Sequence, residues 1–209
     1  MTSIGAAAFL DSPKLVGDLV LAGVAPLTLT HHGNNGYGIF QGCSSLTSAT
    51  ITAPATVTCG QMFLNCSSIT NLVLPDTLER LYGSDFSGCS ALTGIVLPEP
   101  MDSIGNNTFQ GCTALTNVYF RGTVPTTRGA NAFFGQAANK IRVFVPSDDP
   151  AWTQDFYGAT VTPMDETLRA AYRAIFPTGK LAKGQFTWTT KMWFCTWDPH
   201  ASCTIIILR

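Results

Sequence analysis

The side chains in this chain that can ligate metal, form disulfides or act as nucleophiles are chiefly its seven cysteines and three histidines. Cys43, Cys66, Cys89 and Cys112 stand 23 residues apart in every case, and each follows a phenylalanine by three places: Phe40, Phe63, Phe86 and Phe109. Parallel stacked thiols seldom have the Cβ geometry of a bridge, and a buried Cys behaves as a small apolar residue with a weak donor, so these four need no chemistry to be explained. Cys195 and Cys203 flank a turn signal at Asp198-Pro199, with His200 between them. A disulfide across that hairpin is feasible in an oxidising compartment. Zinc is poorly supported there, because three of four ligands are present and the C-x-x-C spacing is missing. His31 and His32 lie on a glycine-rich loop without Cys, Asp or Glu close by and read as solvated polar residues. Cys59 falls where Gly5 and Gly105 fall in other units and reads as partly exposed. No G-x-S-x-G, H-E-x-x-H or P-loop is present, and Asp76, Glu79 and Asp85 read as solvating carboxylates on turns. The sequence therefore points away from an enzyme and implies neither catalytic residues, nor a metal, nor a cofactor.

What must position these residues is a repeat. The units read FQGCSSLTSATIT from Phe40, FLNCSSITNLVLP from Phe63, FSGCSALTGIVLP from Phe86 and FQGCTALTNVYFR from Phe109. A period between about 20 and 30 residues marks units that each supply a strand and a turn, and that must stack to bury an apolar face. A second short apolar run, DSIGNNTF at 102–109 and LERLYGSDF at 78–86, adds another short strand per unit. Leu92, Ile95, Leu97 and their equivalents are expected to point inward. The residues between them form an outward ladder: Thr47, Thr70, Thr93 and Thr116; Ser48, Asn71, Gly94 and Asn117; Thr50, Val73, Val96 and Tyr119. Units rise by about 5 Å, so inward phenylalanines and cysteines form columns.

The Phe-x-x-Cys-x-x-Leu pattern, closed by Pro, resembles the BspA-like, or Treponema-type, leucine-rich repeat family. The resemblance is closest over 39–120. Degenerate units lie at 3–23, which keeps Ile4, Gly5, Phe9, Leu19 and Leu21 with Ser12 in place of Cys, and at 132–146, which loses the Cys. SDDPAWTQDFYGATVTP after it looks like the tail that closes such arrays. The expected fold is a mainly β, α/β-poor solenoid of ~23-residue units over 1–160, followed by a short helix and a small β cap over 161–209. Membership implies a cell-surface or secreted bacterial protein that contacts host proteins, matrix or other microbes. The triplets at Asn65 and Asn106 that match an N-glycosylation pattern read as chance in such an array.

Met1 is followed almost at once by SIGAAAF, the second half of a unit, so the expectation is a segment of a larger protein. The opening residues lack the basic and apolar stretches of a secretory signal; export is implied only by the family. The longer spacing between Leu21 and Phe40 holds THHGNNGYG, a candidate binding loop. Asp165 to Phe176 carries Leu168, Ala171, Tyr172, Ile175 and Phe176 at helical spacing until Pro177, and is expected to cover the open end of the stack. The segment beyond it reads as a three-stranded module whose Trp188, Trp193 and Trp197 form either its core or an aromatic platform for a sugar or protein.

Composition bounds the partner. Only 12% of residues are charged, the net charge is -1, and no Lys/Arg cluster occurs, which argues against nucleic acid. IIIL at 205–208 is far too short to span a membrane. The leading reading is a protein-binding module using the ladder face, with Thr47, Asn71, Thr93, Asn117 and Tyr119 as contacts; four strands make a face about 15 to 20 Å wide. The alternatives are a rigid spacer or appendage segment, and a glycan-binding module built on Trp188, Trp193 and Trp197.

Overall fold

The computed structural model describes residues 3–29, 36–133, 135, 141–146, 152, 155–157 and 159–164. It is a solenoid of short parallel strands. One ladder comprises β2 (Gly17–Leu21), β4 (Leu46–Ile51) and β5 (Asn71–Val73) in a 3-stranded sheet, then β7 (Gly94–Leu97), β9 (Asn117–Phe120), β11 (Arg142–Pro146), β13 (Ala159–Met164) and β12 (Asp155–Phe156) in a 5-stranded sheet. A second ladder joins β6 (Arg80–Leu81), β8 (Ser103–Ile104) and β10 (Thr127–Arg128), with β1 (Ser3–Ile4) paired to β3 (Thr28–Leu29). All pairings are parallel except β12 with β13.

Each unit turns its corner at the phenylalanine, and the local sequence explains why. The residue before the Cys position is left-handed throughout: Asp11, Gly42, Asn65, Gly88, Gly111 and Gly135 have positive φ. A second left-handed residue stands two places before every corner Phe except Phe40, at Ala7, Gln61, Ser84, Asn107 and Asn131. Glycine and asparagine tolerate that region at little cost, which accounts for the recurrent Gly in Phe-x-Gly-Cys. The corners also form a ladder: Phe40 N–H donates to the Met62 carbonyl at 2.9 Å, Phe63 to Asp85 at 2.7 Å and Phe86 to Thr108 at 2.9 Å.

Inside, Phe9, Phe40, Phe63, Phe86, Phe109 and Phe133 stack ring on ring, with successive centroids 5.1, 5.2, 6.1, 5.4 and 5.0 Å apart. The strand spacing sets the ring spacing, so one residue type recurs in every unit. The cysteines beside them are buried free thiols. Each donates to the carbonyl of the preceding unit's phenylalanine: Cys43 to Phe9 at 3.1 Å, Cys66 to Phe40 at 3.0 Å, Cys89 to Phe63 at 3.2 Å and Cys112 to Phe86 at 3.0 Å. The thiols thus add a second, inter-unit donor to the carbonyls of Phe40, Phe63 and Phe86, which already accept the N–H of the Cys three residues on at 3.1–3.2 Å.

The segments on either side of the regular units also join the stack. Ile4 lies in β1, Phe9 on the ring column and Leu19 and Leu21 in the core, while Phe133 extends the column and β11 pairs with β9. The tail then closes the described end. β13 continues the ladder to Met164, beyond the expected boundary at 160, and β12 folds back on it antiparallel. Phe156 meets Phe120 edge-on at 5.4 Å, and Trp152 and Tyr157 pack around it, so parallel stacking ends in tilted and edge-on rings. The expected helix over 165–176 and the β module after it lie outside the described residues.

Two expectations are overturned. Asp85 is no surface carboxylate: it is 0% exposed, because the place before the corner phenylalanine, held in other units by Ile39, Met62, Thr108 and Ala132, points inward from the second corner onward. Cys59 is not partly exposed; at 3% it belongs to the core beside Asp85.

Candidate recognition surface

The outward side of the first ladder is ordered by strand register. Asp18, Ser48 and Asn71 align in one column, continued past β5 by Gly94, Asn117 and Arg142. Beside it run Val20, Thr50 and Val73, then Val96, Tyr119, Phe144 and Thr162. β5 and β7 are neighbours in the stack, yet belong to separate sheets.

The threonines of the ladder face are largely committed to the backbone. Thr47 Oγ1 donates to the Gly17 carbonyl at 3.0 Å, Thr70 to Thr47 at 3.3 Å and Thr116 to Thr93 at 3.2 Å. Their recurrence is therefore explained by rung-to-rung hydrogen bonds, and their hydroxyl protons are spent. Ser48 Oγ donates to the Asp18 carboxylate at 2.6 Å, which holds that charge on the face.

What distinguishes the surface is aromatic. Tyr119 and Phe144 stack at 4.7 Å with their planes 11° apart, on the outward side, flanked by Asn117 and Arg142. Parallel pairing places the same offset of successive units side by side, which puts the two rings one above the other. Phe144 was not among the residues singled out from sequence; placing RVFVP under NVYFR would have found it. Of the expected contacts, Asn117 and Tyr119 come together with this pair, Thr47 and Asn71 lie on the first sheet, and Thr93 sits where the two sheets part. Trp188, Trp193 and Trp197 lie outside the described residues, as do His31, His32, Cys195, His200 and Cys203.

The buried ionisable groups belong to the scaffold. Burial lifts Asp85 to about 6, against hydrogen bonds that pull the other way. These come from the Thr58 hydroxyl at 2.6 Å, the Met62 N–H at 3.3 Å and the backbone at Tyr82 and Gly60. Burial likewise pushes Cys59 and Cys112 up to about 12 and raises Cys43, Cys66 and Cys89. Such thiols are protonated at neutral pH and poor nucleophiles. Among the described residues no group of three His, Cys, Asp or Glu is placed to hold a metal, and no helix is long and apolar enough to cross a membrane.

The sequence profile described as "BspA type Leucine rich repeat region" matches residues 35–148 in 6 copies. The chain belongs to the BspA-type leucine-rich repeat family. Arrays of this family generally mediate protein interactions and are generally not enzymes; its members are typically on the cell surface or secreted. A leucine-rich repeat protein from Bacteroides ovatus is similar in structure, with TM-score 0.57 and 25% identity over 79% of this chain and 40% of that one. The match of this BspA-type chain thus spans 40% of the length of that protein. The Treponema pallidum leucine-rich repeat protein shares the fold, with TM-score 0.51 and 19% identity over 78% of this chain and 84% of its own. No curated protein matches the chain in sequence.

Proposed function

We propose that the chain is a non-catalytic protein-recognition module of a bacterial cell-surface or secreted protein, and that the outward ladder face makes the contact. The stacked pair of Tyr119 and Phe144 carries this reading. Rigid aromatic rings beside a polar column of Asn71, Asn117 and Arg142 supply contact area at low conformational cost, which is how binding hot spots are built. Interior scaffold needs do not explain rings on the outside. With few charges on the face, recognition rests on shape and hydrogen bonds, which suits a protein of the host matrix or of another microbe.

The test is a binding screen of the purified chain against extracellular-matrix proteins, mucins and glycans, repeated with Tyr119→Ala and with Trp193→Ala. Loss of about tenfold or more in affinity with Tyr119→Ala alone supports the ladder face, because truncating a hot-spot ring costs at least about 1–2 kcal/mol. Loss with Trp193→Ala alone, in a folded protein, transfers recognition to the tryptophan-rich tail and to a glycan reading. Capture of nothing leaves the rigid spacer, a reading favoured by the unbroken ring column from Phe9 to Phe133.

A further inference from the structure

From β2 to β11 the outward strand positions carry two charges, and these stand at opposite ends: Asp18 on β2 and Arg142 on β11. Both are exposed, and everything between them is uncharged. Six strands at about 4.8 Å spacing put them about 24 Å apart. We propose that this face docks a second copy of the chain, face to face and antiparallel, about a two-fold axis that runs along the strands between β5 and β7. The proposal rests on the ladder face being a recognition surface, and names its partner.

The symmetry is what the columns supply. A two-fold at the parting of β5 and β7 inverts the order of rungs while keeping the position along each strand. It brings Asp18 over Arg142 of the second copy and, by symmetry, Arg142 over Asp18 of the second copy, which closes two ion pairs. In the neighbouring column it sets Val20 against Phe144 and Val73 against Val96. A contact of this kind is isologous, so one self-complementary surface suffices and growth stops at two. Parallel stacking of two copies would instead put Asp18 over Asp18 and Arg142 over Arg142, which is repulsive. The charges therefore select orientation. A face about 24 Å by about 10 Å buries only a few hundred Å2 per copy, which places the dimer among weak, transient contacts. Its charge pairs are exposed and salt-sensitive.

Sedimentation velocity on the full chain, from about 10 µM to about 1 mM and at about 0.05 and about 0.5 M salt, tests this. A monomer–dimer equilibrium that weakens with salt is expected. Asp18→Arg and Arg142→Asp each should weaken it about tenfold or more, since each converts two attractions into two repulsions. The double exchange, Asp18→Arg with Arg142→Asp, should restore association to within about threefold of the unaltered chain. Asp18→Asn, which keeps an acceptor for the Ser48 hydroxyl, should give an intermediate loss and guards against a folding defect read as a binding defect. A chain that stays monomeric at about 1 mM, a double exchange no tighter than either single, or association indifferent to both reversals each overturns the proposal. If the chain stays monomeric while Tyr119→Ala abolishes capture of another protein, this inference fails and the recognition surface stands. If it dimerises through Asp18 and Arg142 and captures nothing else, the inference stands and the surface is homotypic.

Discussion

Replacing Asp85 by Asn should make the solenoid more stable at neutral pH and remove a dependence of stability on pH. Asp85 is fully buried, and burial raises its carboxyl from 3.8 to about 6. The folded state thus prefers the protonated acid. Stability from this group is fully present below pH about 4, falls as the pH rises toward about 6, and stays reduced above. At about 1.4 kcal/mol per pKa unit, the fall amounts to about 3 kcal/mol. The nearest ionisable neighbour facing it is the Cys59 thiol, pushed up to about 12 by burial and then by the Asp85 charge, so it does not titrate in this range. An asparagine is neutral throughout and can still accept from the Met62 N–H; its amide can donate to Thr58 Oγ1, which already accepts from the Tyr82 N–H at 2.9 Å. Urea unfolding of both proteins from pH about 4 to about 8 isolates the effect, because exposed carboxylates cancel in the difference. The variant should match or fall below the parent at pH about 4 and exceed it by about 1–3 kcal/mol at pH about 7. A difference that does not change with pH would refute the reasoning, since the buried acid would then not be titrating between its unfolded and folded values.

Two further outcomes follow from the packing. Gly105→Ala should cost about 3 kcal/mol or prevent folding, because its Cβ would stand 1.0 Å from the Tyr82 carbonyl oxygen, whereas Gly5→Ala meets nothing within 4 Å and should change stability little; thermal melts of the pair check the contrast. Cys43, Cys66, Cys89 and Cys112 should resist a thiol reagent in the native state and react together on unfolding, since burial raises all four; labelling that outruns urea unfolding would contradict their place in the core.

The fold was legible because the unit is short, in phase, and repeated. Phe40, Phe63, Phe86 and Phe109 recur at the strand-spacing column, and even the degenerate Phe9 and Phe133 join it. The role of the cysteines was legible as burial, but not as bonding: no sequence spacing shows that Cys66 Sγ reaches the carbonyl of Phe40 in the unit before. Asp85 was misread for an allied reason. Its charge suggested solvent, while its place before Phe86 put it inside, and position prevails in a stack whose corners are tied to the units on both sides. The candidate surface divided the same way. Tyr119 could be picked out as an outward aromatic; its partner Phe144 lies in a unit that has lost its cysteine, so the pair exists only once β11 is in register with β9.

What the amino-acid sequence by itself determined is the solenoid: the period and the inward columns of phenylalanine and cysteine, which follow from residue types recurring in phase. Only the tertiary structure decided which side chains of different units meet, and therefore the ring pair of Tyr119 and Phe144, the Asp85 cluster and the opposed charges of Asp18 and Arg142. The physical reason is that rung-to-rung register is set by backbone hydrogen bonds between units, and small insertions, such as those near Phe9 and Phe133, shift sequence numbering without shifting the ladder.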